Sequence, residues 1–147
     1  MSSLFSVSLA AALALHALSL VARSDAPVPT KRISAALSAS EAHLSKVLRR
    51  LVTAGLLRAK RGPGGGFELA RAAAEIRLRD IYEAIEGPLG PAACPFGVPV
   101  CDGGACMLGD QFRNAGDTLF QFLSNARLSD YQNSKCLGEG SENENVP

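Results

Sequence analysis

Three of the four cysteines of this 147-residue chain fall in CPFGVPVCDGGAC, residues 94–106, among glycines, prolines and small side chains. Thiolates gathered this closely can ligate a soft metal, exchange with a disulfide or clip a loop shut. The spacing of Cys94, Cys101 and Cys106, C-x6-C-x4-C, matches neither a zinc ribbon nor a ferredoxin run. A second loaded stretch is RAKRGPGGGFEL, 58–69, where Arg58, Lys60 and Arg61 stand before a tip containing Gly64 and Gly65. Glycines let backbone amides approach phosphates, and the cations supply attraction. The third is SEAHLSKVLRR, 40–50, in which Ser40, His43, Ser45, Lys46, Arg49 and Arg50 form the polar side of an amphipathic repeat. Hydroxyls and imidazole can read base edges, whereas Lys and Arg suit phosphate or guanine. No paired acid/base constellation accompanies them, and His16 and His43 are the only histidines, so an enzyme is not expected. A nucleotide phosphate loop is excluded as well. There is no G-x-x-x-x-G-K-[ST], and the glycines lie between strands rather than before a helix.

The elements that must hold these groups follow from periodicity. Residues 4–22 are almost uninterrupted apolar sequence, broken by Ser6, Ser8, His16 and Ser19. No basic side chain precedes them, as a signal peptide would require, so they are read as a long buried helix of a cytoplasmic protein. In that reducing compartment structural disulfides are not expected. RSDAPVP, 23–29, is a loop, and Thr30 is placed to cap a short helix through Leu37. Ser38 and Glu41 have capping-box spacing, with Ser40 the alternative cap, and a helix then runs to Ala54. Its stripe of Leu44, Val47, Leu48 and Leu51 is the i, i+3, i+4, i+7 pattern, and Gly55 ends it. Residues 56–60 and 66–70 read as two short strands joined by a glycine tip. A helix over 78–85, the cysteine loop and a helix over 108–125 follow, and residues 132–147 are expected to be a disordered tail.

A short helix, tight turn, amphipathic helix and basic glycine-tipped hairpin together make a winged helix-turn-helix, in a mostly α chain. Charge supports this. Arg23–Arg71 holds ten basic against three acidic residues, and the stretch from Asp80 onward holds three basic against ten acidic. Such an asymmetry marks one half for nucleic acid. The expected organisation is a DNA-binding domain over 1–87, a sensory loop over 88–107, a dimerisation helix over 108–131 and the tail.

HLSKVLRRLVTAGLLRAKRGPGGGFELARAAAEIRLRDIYEAIEG resembles the Rrf-two family of winged-helix transcriptional regulators, most specifically in RGPGGGF and EIRLRDIYEAIEG. The resemblance runs from Phe5 to Tyr131. It implies a homodimer on a palindromic duplex-DNA operator, with helix 108–125 crossing to the partner. It places Ser40, His43 and Ser45 near bases, and Arg61 and the wing glycines along the backbone or minor groove. It further implies a 2Fe-2S or 4Fe-4S iron–sulfur cluster on Cys94, Cys101 and Cys106, as in the metal-sensing members. One departure stands out. Where some members carry a histidine ligand three residues after the third cysteine, this chain has Gly109. His16, which matches a ligand position on the first helix of other members, is then a candidate fourth ligand, with Asp102, Asp110 and Cys136 as further donors. A lone histidine in an apolar helix is otherwise a packed core residue. Alternatives to the cluster are a thiol–disulfide switch, a small-ligand sensor with incidental cysteines, zinc, or a metal carrier or enzyme that uses the cysteine loop.

Overall fold

A computed structural model describes residues 7–90 and 109–132; Cys94, Cys101, Cys106, Cys136 and the expected tail lie outside them. The first helix, α1 (Leu9–Ala22), starts later than the apolar run suggests. The Ser8 hydroxyl accepts the Ala11 N–H at 3.0 Å and fixes the start there. One side of α1 is made of small residues: Ala11, Ala14 and Ala17 have no exposed surface, and Leu13, Leu18 and Val21 complete the buried face. No helix among the described residues is long and apolar enough to cross a membrane.

Helix α2 (Thr30–Ala36) follows a loop, and its cap is Pro29 rather than Thr30. Proline presets φ near the helical value, so the side-chain cap expected of Thr30 is not made. The turn that follows is tight, with the Ala39 N–H on the Ser34 carbonyl at 2.9 Å and Ser38 at φ +48. Helix α3 (Glu41–Thr53) is capped by Ser40, whose hydroxyl accepts the His43 N–H at 3.4 Å. The Ser38–Glu41 capping box therefore gives way to the alternative cap. The predicted stripe of Leu44, Val47, Leu48 and Leu51 is buried throughout. At the far end Gly55 takes φ +71, and the Leu56 N–H reaches the Leu51 carbonyl at 3.0 Å, ending the helix where the glycine predicts.

The wing is an antiparallel pair, β1 (Leu57–Lys60) and β2 (Gly66–Leu69), in register from Leu57↔Leu69 to Lys60↔Gly66. It has a third participant that periodicity does not reveal. Val28, from the loop after α1, exchanges both backbone hydrogen bonds with Phe67, each at 2.9 Å. This anchors the hairpin to the body. The close approach leaves no room at Gly66, where a Cβ would stand 2.4 Å from the Val28 carbonyl carbon and φ is +153.

A 3-10 turn (Ala73–Glu75) leads to α4 (Leu78–Glu86), which buries Leu78, Ile81 and Ile85. Helix α5 (Gly109–Asn125) packs on α4 through its last turns, with Leu123 buried. The chain then returns. The Leu78 N–H bonds the Ala126 carbonyl at 3.0 Å, and the Leu128 N–H bonds the Ile76 carbonyl at 2.9 Å. A closing 3-10 turn (Leu128–Tyr131) sets Leu128 in the core.

Gly66→Ala is expected to cost about 2 kcal/mol or more, because both the backbone conformation and the Val28 contact resist a Cβ. Urea unfolding measures this, and an unchanged midpoint would show that the Val28–Phe67 bridge does not constrain the wing.

Candidate nucleic-acid interface

The apolar stripe of α3 faces the core, so its polar positions face outward. Ser40, His43, Lys46, Arg49 and Arg50 are exposed and Ser45 is half-buried. The wing continues the display. Arg58, Lys60, Arg61 and Gly64 are exposed, and the tip is closed by the Gly65 N–H on the Gly62 carbonyl at 2.9 Å. Gly65 is sterically required, since a Cβ there would lie 2.4 Å from the Lys60 carbonyl oxygen. The tip is thus a tight turn that stands out from the body.

The cations are not equivalent. Lys60 Nζ is 3.2 Å from Glu68 Oε2 across the hairpin, and an Arg58 guanidinium nitrogen reaches the Ala70 carbonyl at 3.5 Å. Arg50 turns away from the polar face, its Nη2 donating to the Ile85 carbonyl near the end of α4 at 2.6 Å. Lys46, Arg49 and Arg61 have no side-chain partner among the described residues. Lys46, Arg49, Arg50 and Thr53 fall at one-turn steps and line a groove of about 450 Å³ between α3 and α4, with Ala54 and Ala84 as apolar lining. The Arg50–Ile85 bond is invisible in sequence, because it joins residues 35 apart and depends on how two helices cross.

The metal-ligand set is a different matter. Among the described residues no group of His, Cys, Asp or Glu could hold a metal ion, and the three loop cysteines lie outside those residues. His16 is not the packed core residue that its apolar neighbours suggest. It is exposed on α1, with Nδ1 2.7 Å from the Ala12 carbonyl oxygen one turn back. Placing the N–H on Nδ1 leaves Nε2 free to accept or ligate.

The family model described as "Rrf2: Iron-dependent Transcriptional regulator" matches residues 7–134. The chain belongs to the Rrf2 family of transcriptional regulators. It is 32% identical over 112 residues to the HTH-type transcriptional regulator IscR of Pectobacterium carotovorum, covering 76% of this chain and 68% of that one. In fold it is similar to CymR, the global cysteine regulator of B. subtilis, with a TM-score of 0.74 at 24% identity, over 88% of this chain and 97% of that one. It is similar also to T. potens IscR, with a TM-score of 0.71 at 21% identity, over 95% and 94% of the two chains. Rrf2 proteins are DNA-binding regulators, not enzymes, in accord with the absence of an acid/base constellation in the sequence.

In this Rrf2 chain the stretch just before the cysteines is tied to α4. The Glu83 carboxylate accepts from Arg79 Nε at 2.8 Å and from the Leu89 N–H at 2.8 Å through the same oxygen. The Arg79 guanidinium lies 4.6 Å from the centre of the Phe120 ring on α5. One ion pair thereby joins α4, the segment leading to the cysteines and the helix that follows them. Arg79 and Glu83 are one helical turn apart, so the pair is legible in sequence; its contacts to Leu89 and Phe120 are not.

Burial pushes the Glu83 carboxyl up, but the Arg79 hydrogen bond, the Leu89 N–H and the Arg79 charge together outweigh it and hold it below its ordinary value of 4.5. A carboxyl depressed in the folded state contributes stability that is complete above its unfolded value and vanishes as pH falls through the folded one. Glu83→Gln is therefore expected to lower stability at neutral pH and to flatten the acid limb below pH 4.5. Thermal unfolding across pH measures this, and parallel wild-type and variant curves would contradict it.

Proposed function

We propose that this Rrf2 regulator acts as a cytoplasmic homodimer on a palindromic duplex-DNA operator, as a repressor that responds to redox state, nitric oxide or iron–sulfur supply. The observation that carries the DNA reading is the exposed cationic stripe of α3 beside an exposed, sterically fixed wing tip, both backed by one apolar core. In this reading the start of α3 enters the major groove, with Ser40, His43 and Ser45 toward base edges. Lys46, Arg49, Arg58, Lys60 and Arg61 attract the phosphates, and Gly64 and Gly65 let the wing backbone approach the strand.

Support for a dimer comes from apolar surface. Phe122 on α5 is 49% exposed and Leu9 at the start of α1 is 68% exposed, beyond what a lone subunit gains from them. A second copy would cover α5, whose outward face otherwise carries Asn114, Asp117, Thr118 and Gln121.

Cys94, Cys101 and Cys106 would hold the cluster, 2Fe-2S or 4Fe-4S. Three soft sulfur donors suit iron–sulfur ligation, and exposed His16 offers Nε2 as a fourth donor from a partner subunit. Such a group supplies an oxidant-sensitive iron centre. The chain's own residues carry the readout: the Leu89 N–H on Glu83, the Arg79 guanidinium over Phe120, and α4 beneath α3. A change in the cysteine segment alters the pull on this array and, through it, the spacing of the two recognition helices.

Two measurements test the reading. In gel-shift titrations Arg61→Ala should weaken binding to all sequences and reduce the salt slope by about 0.9, while His43→Ala should shift base preference by about 1–3 kcal/mol. A salt-independent affinity would refute DNA binding through these groups. Anaerobically purified protein should carry iron and sulfide and absorb visible light, and Cys101→Ala should lose both. Iron-free wild type with operator affinity equal to that variant's would remove the cluster from the mechanism.

A further inference from the structure

The geometry points to Arg50 as a positioning residue that locks the recognition helix to α4, leaving Lys46 and Arg49 on the same groove to hold the DNA strand. This rests on the DNA-binding reading and divides labour among cations that sequence alone ranks as equals.

Four observations carry it. The Arg50 guanidinium already donates to a backbone carbonyl, that of Ile85, at 2.6 Å. That carbonyl lies in the last turn of α4, where carbonyls lack partners within the helix and attract a cation. Lys46 and Arg49, one helical turn and one residue before Arg50, have no side-chain partner among the described residues and border the same groove. The groove also exposes Ala54 and Ala84, a lining that suits the deoxyribose of a backbone strand whose phosphates meet Lys46 and Arg49. Pulling Arg50 onto a phosphate would strip Ile85 of its partner, whereas the two neighbours can turn to a strand without breaking a bond to the described residues.

The lock also sits on a line of contacts. Ile85 follows Glu83 by two residues, and Glu83 holds Leu89 and Arg79. Arg50 is therefore the point at which the tether ahead of the cysteine segment meets the DNA-reading helix.

The salt dependence of binding separates the two roles, because each phosphate contact adds about 0.9 to the slope of log affinity against log salt. The full chain would be titrated with a duplex that the wild type selects from a random pool, and with a scrambled duplex, between about 50 and 200 mM salt. Lys46→Ala and Arg49→Ala should each flatten the slope by about 0.9 and weaken both duplexes alike. Arg50→Ala and Arg50→Met, the second keeping the apolar stem, should keep the wild-type slope. They should lose about fivefold on the selected duplex and leave the scrambled one unchanged. Amide exchange at Gly87, whose N–H bonds the Glu83 carbonyl at 3.0 Å, should quicken in both Arg50 variants and in neither of the others. Loss of a full phosphate's slope in the Arg50 variants, or unchanged selected-duplex affinity and Gly87 exchange, would overturn the assignment. If the wild type bound no DNA the DNA-binding reading itself would fail, and the Gly87 exchange would still decide whether Arg50 locks α4.

Discussion

The whole outward cationic face of this chain depends on how closely α1 packs against α3 and α4. Alanines at 11, 14 and 17 leave that face of α1 with little more than backbone and Cβ, and all three are fully enclosed. Small residues let helices approach until Leu44, Leu48 and Leu51 from α3 and Ile81 from α4 fill the remaining space at interior density. Fixing the apolar side of α3 fixes the direction of its other side. The cationic stripe is a consequence of the core, since it occupies the positions that packing leaves over. The wing obeys the same constraint at second hand, because Val28, itself fully buried, pins Phe67 and with it the hairpin.

Much of this was legible in the residues. The period of Leu44, Val47, Leu48 and Leu51, the stop at Gly55 and the glycine-rich tip are local signals, and each element appears within about a residue of its expected bounds from α2 to α5. The differences are local competitions decided by geometry. Pro29 displaced Thr30 as a cap because its backbone was already set. Ser40 displaced Ser38 because the chain turns through positive φ at Ser38. Helix α1 starts at its own serine cap rather than at the edge of the apolar run.

What escaped the sequence is long-range. The Val28 bridge to the wing, Arg50 on Ile85, Leu89 on Glu83 and the return of 126–128 alongside 76–78 join residues that no spacing rule connects. His16 shows the converse failure. Its neighbours predict burial, yet α1 is wide enough to be apolar on several sides while packing on only some, and the histidine occupies an unpacked one. Composition around a residue constrains its environment less than its angular position on the helix does.

The return of the chain after α5 has a bearing on how this architecture is held together. Glu83 holds Leu89 against α4, and the paired backbones at 76–78 and 126–128 tie the start of α4 to the chain just after α5. Bringing together backbone segments so far apart in the chain carries a closure entropy that folding must offset. A clasp at the foot of α4 thus makes the last described turn part of the support on which α3 rests.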